Sequence, residues 1–218
     1  MKRWISGATL LTLAAIAAAQ STGQPAAPAQ PSDKLAVAAL TAADRDKALQ
    51  YLETTKDGVI RATSGLSEAQ WNFKPGPDRW SVAEVTEHIA AAEDFIRGNI
   101  EEKILQAPPR SEPANVAELD AFVMKAIPDR SHKAEAPGPL RPTNRFGSPE
   151  ASLKHFAESR AQTEAFLKSH DDLRAHAVDS PLGKKLDAYE WVLFIAAHSE
   201  RHTKQIEEVK ADPNFPKQ

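Results

Sequence analysis

The chain has 218 residues, of which 41% are hydrophobic and 26% are charged, proportions typical of a globular protein. Its formal net charge of −3 offers no electrostatic reason to bind nucleic acid or an anionic membrane. The sequence contains no cysteine, which excludes disulfides, a thiolate nucleophile, cysteine-ligated zinc and c-type haem attachment. Any metal site must therefore use histidine, aspartate and glutamate.

The amino-terminal segment predicts export from the cytoplasm. Lys2 and Arg3 precede an apolar run, residues 4–19, that ends in the small residues typical of a cleavage site. We therefore expect a signal peptide at 1–19 and a periplasmic or secreted protein with no stable membrane anchor after cleavage. An uncleaved membrane anchor is the alternative, although the run is shorter than the ~20 residues of a spanning helix.

The rest of the chain divides into a linker, a domain and a tail. Residues 20–40 are rich in Pro, Ala and Gln and predict a disordered linker, followed by a helical domain at 41–211 and a tail at 212–218. The domain shows helical periodicity and neither an alternating strand pattern nor an internal repeat. The predicted fold is therefore all-α, a four-helix bundle with an extra short helix and long Pro-rich loops.

Capping sequences mark where several of these helices begin. Thr41, Ser81 and Asp187 are each followed three residues later by an acidic residue, and Ser148 precedes a proline. The predicted helical spans, in chain order, are 41–66, 81–107, a short helix at 115–127, 148–167 and 187–210, with turn-rich or Pro-rich loops at 74–80 and 128–148.

Two histidines lie one turn apart on the last helix. His198 and His202 share its core-facing stripe with Trp191, whereas Glu200 and Arg201 point away and are predicted to lie on the surface. Burial of two imidazoles costs free energy unless their nitrogens are satisfied, and a shared cation would satisfy both. Two separately hydrogen-bonded core histidines are the alternative.

A third histidine strengthens the metal interpretation. His88 lies at the edge of the core-facing stripe of the helix that Ser81 begins, where it could meet the other two. Three histidines around a divalent ion leave open positions for water or substrate. The remaining four lie in loops, at helix ends or opposite an apolar stripe, and do not look like ligands: His132, His155, His170 and His176.

Other side chains near these histidines are candidates for chemistry. Glu84, one turn before His88, is the predicted general base, although its place in a capping box also explains it. Glu87 points away from His88, and Trp80 is interpreted as a core residue in preference to a substrate wall. The loop at 128–148 could meet an anionic substrate through its arginines, although a solvated irregular loop is the favoured interpretation: Arg130, Arg141 and Arg145.

Two motifs resemble the DinB-like superfamily. WSVAEVTEHI, residues 80–89, follows a Pro/Gly turn, and HSERHTKQI, residues 198–206, closes the domain. The resemblance implies a four-helix bundle, often dimeric, that binds a divalent metal through three histidines. The positions that match those ligands are His88, His198 and His202.

The resemblance also bounds the function. The superfamily includes metal hydrolases and thiol-dependent S-transferases that use bacillithiol or mycothiol, and export would separate this chain from those cytosolic thiols. We therefore predict a metal-dependent hydrolase acting on a small molecule outside the cytoplasm. A metal- or ligand-binding bundle without turnover is the alternative, and an S-transferase is a weaker one. Three histidine ligands favour Zn or Ni, with Fe and Cu as alternatives.

Overall fold

The computed structural model describes residues 39–112 and 114–217. The predicted signal peptide at 1–19 and the predicted linker as far as residue 38 lie outside the described residues, so export stays a prediction. Within the described ranges, no helix is long and apolar enough to cross a membrane.

Six α-helices and one small hairpin are present in the part of the chain that the structure describes. The helices are α1 (Ala42–Thr63), α2 (Glu68–Asn72), α3 (Val82–Asn99), α4 (Val116–Ala126), α5 (Pro149–Ser169) and α6 (Ala188–Lys210). The strands are β1 (Ala177–Asp179) and β2 (Lys185–Asp187). A π-helical turn, Ile100–Ile104, extends α3, and a 3-10 turn lies at Gly138–Leu140.

Local capping sequences set the helix starts. Thr41, Ser81 and Asp187 each accept a hydrogen bond from the backbone N–H three residues on, and the acidic side chain there accepts one from the backbone of the cap. α5 begins with Ser148 as its cap and a proline in its first turn. These starts are the predicted ones, because a capping sequence depends only on residues close together in the chain.

The four long helices, α1, α3, α5 and α6, form the bundle. α1 packs chiefly against α6 and α3 against α5, while the shorter α4 lies against α6. Apolar side chains fill two clusters, one that includes Leu52 and Leu193 and one that includes Val85 and Ile206. The predicted all-α four-helix bundle with an extra short helix is therefore confirmed.

Three local features differ from the sequence interpretation. α1 ends at Thr63, earlier than predicted, and the chain turns at Gly65, whose φ of 70° suits a residue without a Cβ. Ser67 caps α2, a helix too short for periodicity to reveal. β1 and β2 pair antiparallel with Val178 opposite Leu186, although the sequence predicts no strand. Strands of three residues are too short to produce an alternating pattern.

A buried ion pair joins α3 to α5 at the centre of the bundle. Arg160, which is 0% exposed, donates from Nε and Nη2 to the two carboxylate oxygens of Glu93, both at 2.8 Å. Thr163 also donates to Glu93, and the remaining guanidinium N–H groups reach Thr55 on α1 and Ser199 on α6. We call these five residues the arginine cluster. It contacts all four long helices and holds α6 beside His198.

Candidate metal centre

Three histidines from two helices meet inside the bundle. His88 on α3 and His198 and His202 on α6 each offer one ring nitrogen, and these nitrogens all lie within 4.8 Å of one another. His88 and His202 are 3% and 8% exposed, and His198 is half-buried. No Asp or Glu joins this group, which we call the histidine cluster, anywhere in residues 39–112 and 114–217.

Hydrogen bonds outside the cluster fix the protons of two of these imidazoles. The Nδ1 of His88 donates to the backbone oxygen of Leu140 at 2.9 Å, since a carbonyl can only accept. The Nδ1 of His202 lies 2.8 Å from the Oε1 of Gln205. A neutral imidazole carries one proton, so a ring with its proton on Nδ1 keeps an unprotonated Nε2, which for His88 faces His198. Such outer partners commonly orient metal-binding histidines.

The nitrogens that face one another are short of protons. The Nε2 atoms of His88 and His198 are 3.2 Å apart, and a proton on His198 could satisfy only one neighbour. The ring centre of His202 lies 4.5 Å from that of His88 and 4.4 Å from that of His198. A divalent cation would satisfy all three lone pairs at once, so the donor set fits a histidine-bound metal.

Burial keeps the histidine cluster in its neutral form. It lowers the pKa of His88, and it lowers the pKa values of His198 and His202 well below the ordinary value for histidine. The nearby imidazoles lower the pKa values of His198 and His202 further, because two positive rings would repel. The neutral imidazole is the form that binds a metal.

Glu87 anchors the part of the long loop that supplies the Leu140 carbonyl. Its carboxylate accepts hydrogen bonds from the backbone N–H groups of Thr143 at 2.8 Å, Asn144 at 2.7 Å and Arg145 at 3.2 Å. Burial opposes ionisation of Glu87, but these donors hold its pKa below the ordinary value. From the position beside His88 on α3, Glu87 therefore holds the loop that orients that histidine.

α6 anchors the other end of the same loop. Arg201, which the sequence places on the surface, is half-buried and donates to three carbonyl oxygens between residues 127 and 132. Glu200 is also engaged, because it accepts a hydrogen bond of 2.7 Å from the hydroxyl of Tyr51. A helical wheel shows on which side a residue lies, but it does not show which loop or helix covers that side.

The loop arginines bind groups of the protein itself. Arg145 pairs with Glu87 at 3.0 Å, and Arg130 pairs with Glu208 through two contacts of 2.6 and 2.7 Å. Arg141 donates to a backbone oxygen within the loop. The loop is therefore attached to both histidine-bearing helices, and most of its residues are exposed and irregular, as the sequence favours.

Glu84 occupies its capping box. Its carboxylate accepts a hydrogen bond of 2.8 Å from the backbone N–H of Ser81 and pairs with Lys74 at 2.9 Å. It lines a groove of about 760 Å³ between α2, α3 and the start of α5, and none of the three cluster histidines lines that groove. The predicted role of Glu84 as a general base stays a prediction. Trp80 lies closer to the site, with its ring centre 5.0 Å from that of His88.

Three of the other four histidines have ring partners of their own. His155 contacts Asp94 at 2.6 Å, His170 contacts the backbone oxygen of Phe166, and His176 contacts that of Ala107. Among the described residues, none of the four, His132 included, joins the histidine cluster, which agrees with the sequence interpretation.

Comparison with known proteins decides the family. Residues 51–206 match the sequence profile of the DinB superfamily. This chain belongs to the DinB superfamily. It is 27% identical over 148 residues to the uncharacterized protein YuaE of Bacillus subtilis (strain 168), a match that covers 67% of this chain and 86% of YuaE.

A solved structure shares the fold. YfiT from Bacillus subtilis aligns with a TM-score of 0.50 and 16% identity over 81% of this chain and 91% of its own. YfiT is described as a probable metal-dependent hydrolase with an unusual four-helix bundle topology. At that identity the likeness shows a common bundle fold and nothing about activity.

The outer partners of the histidines are the residues that sequence reasoning missed. Gln205 follows His202 by three residues on α6, a spacing that places the two side chains side by side, so the motif itself carried the signal. Leu140 contributes only its backbone oxygen, for which the sequence offers no signal. Its place at the site depends on the loop as a whole.

Proposed function

We propose that this DinB protein is a metal-dependent hydrolase whose divalent ion is held by His88, His198 and His202. The observation that carries the proposal is the convergence of three ring nitrogens within 4.8 Å with too few protons to satisfy them. The description of YfiT as a probable metal-dependent hydrolase gives independent support. A bound divalent ion would polarise the scissile group and lower the pKa of a water molecule.

The residues of the chain prepare the site for this chemistry. Leu140 and Gln205 keep the protons of His88 and His202 on Nδ1, and burial keeps all three rings neutral near pH 7. Three protein ligands leave coordination positions open for water and substrate.

A bundle that binds metal without turnover is the second candidate. Burial of His88 and His202 favours it, because a sealed site suits a structural ion. The groove of about 760 Å³ also favours it, since no cluster histidine lines the groove. An S-transferase dependent on a cytosolic thiol is a weaker third candidate if the protein is exported as predicted.

The remaining parts of the proposal concern metal, partner and place. Three imidazole ligands suit Zn or Ni, with Fe and Cu as alternatives. We further propose a small-molecule substrate, a homodimer and a periplasmic or secreted location, with nucleic acid excluded as a partner on charge. Cell fractionation and mass determination of the mature chain test the location, and light scattering tests the dimer.

Metal analysis of protein purified without a histidine tag tests the main proposal. We expect about one divalent ion per chain in the wild type, loss of that ion in His198→Ala, and retention of it in the control His155→Ala. A panel of esters, amides and lactones then tests turnover. Less than one equivalent after metal supplementation would overturn metal binding, and hydrolysis that is absent, or unchanged in His198→Ala, would favour the binding bundle.

A further inference from the structure

The environment of His202 differs from that of the other two cluster histidines. His88 has a backbone oxygen as its outer partner, which cannot be changed by a side-chain substitution. For His198, the only recorded hydrogen-bond contact within the described residues is the one with His88. Of the three, His202 alone has a side-chain partner outside the cluster among the described residues, Gln205, and that side chain is itself held by a charged residue from the loop.

We propose that Gln205, oriented by Arg130, is a positioning residue that keeps the proton of His202 on Nδ1 and aims its Nε2 at the metal. The part that concerns metal affinity rests on the proposed function, whereas the placement of the proton does not.

The contacts form a continuous chain from the loop to the histidine. Arg130 contacts both carboxylate oxygens of Glu208, at 2.6 and 2.7 Å, which fixes the plane of its guanidinium. Its Nη1 lies 3.3 Å from the Oε1 of Gln205. The same oxygen lies 2.8 Å from the Nδ1 of His202. Gln205 and His202 lie three residues apart on α6, about one helical turn, so their side chains can meet without straining the helix.

The direction of each hydrogen bond follows from the chemistry of arginine. A guanidinium can only donate, so the Gln205 atom that faces Arg130 must be the amide oxygen and not the nitrogen. Because an amide oxygen can only accept, the Nδ1 of His202 must carry the proton. The Nε2 of His202 is then the unprotonated nitrogen, which leaves it as the nitrogen available to a metal shared with His88 and His198.

The ion pair of Arg130 with Glu208 holds the guanidinium in the orientation that contacts Gln205. Glu208 accepts hydrogen bonds from Arg130, and this contact holds the pKa of Glu208 below its ordinary value, so the carboxylate is charged at neutral pH. Arg201 holds the loop just before Arg130 by donating to the backbone oxygen of Asp129. The loop thus presents Arg130 to Gln205 from a fixed position.

Three variants separate positioning from general damage. Gln205→Leu keeps the approximate size of the side chain and removes the acceptor, whereas Gln205→Glu keeps an acceptor that both Arg130 and His202 can use. Gln162→Leu is the matched control, since Gln162 likewise accepts a hydrogen bond from an arginine, Arg97 at 2.7 Å, and has no contact with the histidine cluster. Thermal melting of each apo variant reports whether it is folded.

Two measurements on folded protein report how each substitution changes the proton position of His202 and the affinity for Zn²⁺. Long-range proton–nitrogen NMR correlations of the apo protein at pH 8 report which nitrogen of His202 carries the proton, assigned with His202→Ala. Competition titration with Zn²⁺ and a chromophoric chelator reports affinity. In the wild type we expect His202 to carry its proton on Nδ1 alone. In Gln205→Leu we expect a mixture of the Nδ1- and Nε2-protonated forms and a Zn²⁺ affinity about 10- to 100-fold weaker. Gln205→Glu should keep the Nδ1 proton and bind Zn²⁺ at least as tightly as the wild type, because a carboxylate partner makes the imidazole a stronger ligand. Gln162→Leu should keep both wild-type properties.

The outcomes distinguish the two proposals. A wild-type His202 protonated on Nε2, or a Gln205→Leu variant that keeps wild-type affinity and a single Nδ1 form, overturns the positioning role. If the wild type binds no Zn²⁺, the proposed metal site fails, but the NMR comparison still decides the role of Gln205. If Gln205→Leu does not fold, the test passes to Arg130→Met, which leaves Gln205 in place and should mix the two forms of His202.

Discussion

The bundle buries two polar clusters that both contact α3 and α6 and that are built on opposite principles. In the arginine cluster, donors meet acceptors: Arg160 and Thr163 donate, and both oxygens of Glu93 accept. In the histidine cluster, acceptors meet acceptors, because His88 and His202 have their protons committed elsewhere. Buried polar groups are normally hydrogen-bonded, so the first arrangement is complete by itself, whereas the second leaves lone pairs that a bound cation would satisfy.

The difference shows how to distinguish a buried polar group that stabilises the fold from one that a bound ligand would satisfy. Burial alone does not separate them, since Arg160 and His88 are both inaccessible. The balance of hydrogen-bond donors and acceptors separates the two clusters, because buried acceptors without donors cost free energy unless a cation binds them. The two clusters should therefore respond in opposite ways to the loss of a member.

The largest expected effect is on metal binding by the histidine cluster. We expect His202→Ala to reduce Zn²⁺ affinity by more than the ~100-fold limit typical for loss of an outer partner, because a ligand itself is removed. The apo protein should keep its fold, as the change leaves no unpaired charge. Isothermal titration calorimetry with His155→Ala as control measures this. Equal affinity in His202→Ala and the wild type would contradict the comparison.

The arginine cluster should show the reverse pattern. Glu93→Leu leaves Arg160 as an unpaired buried charge and should lower the free energy of unfolding by about 3–5 kcal/mol. The double variant Glu93→Leu/Arg160→Met removes both charges and should recover most of that loss. Urea unfolding measures the stability, and metal analysis of the folded variants should find the wild-type stoichiometry. A double variant no more stable than Glu93→Leu would contradict this explanation.

The pH dependence of stability should distinguish the histidine cluster. Since the folded protein lowers the pKa values of all three histidines, the unfolded chain binds more protons below the ordinary histidine pKa of about 6.5. Their contribution to stability is therefore present above pH 6.5 and lost as the pH falls, by up to about 1.4 kcal/mol per pH unit for each ring that stays neutral in the folded protein.

Urea unfolding of the apo protein between pH 5 and pH 7.5 measures this loss. The matched variant is a triple variant with Gln in place of His88, His198 and His202. The difference between the stability curves of wild type and variant gives the contribution of the three rings. That difference is required because Glu190, whose pKa burial raises to about 8, acts in the opposite direction. Its neighbours that carry charge are Arg174, Asp187 and Asp120. Parallel curves for wild type and variant would show that the rings are not buried in neutral form.

The smallest expected effect concerns Glu84. Glu84→Gln retains the capping box and loses only the exposed pair with Lys74, so we expect a stability change below about 1 kcal/mol. A role as general base instead requires a large fall in turnover with unchanged metal content. Activity assays beside thermal melting decide between them, and Lys74→Ala controls for the lost ion pair. Unchanged turnover in Glu84→Gln would remove it from the mechanism.

The sequence by itself determined the features that depend on short spacings. Thr41, Ser81 and Asp187 begin helices because a capping box needs only residues three positions apart. Helical periodicity determined the bundle and put His198 and His202 on one face of α6. Short spacings could not predict the hydrogen bond of His88, because its partner is a distant backbone oxygen. They could not predict the short strands either, because each strand needs the other as its partner.

Only the tertiary structure decided what surrounds the histidines. Leu140 reaches His88 because Glu87 holds the backbone of the loop, and Arg130 reaches Gln205 because Glu208 fixes its guanidinium. Each of these contacts joins residues far apart in the chain, and the path of the loop between them follows from packing and not from local preference. The chain therefore specifies which histidines can meet, and the folded loop decides where their protons lie.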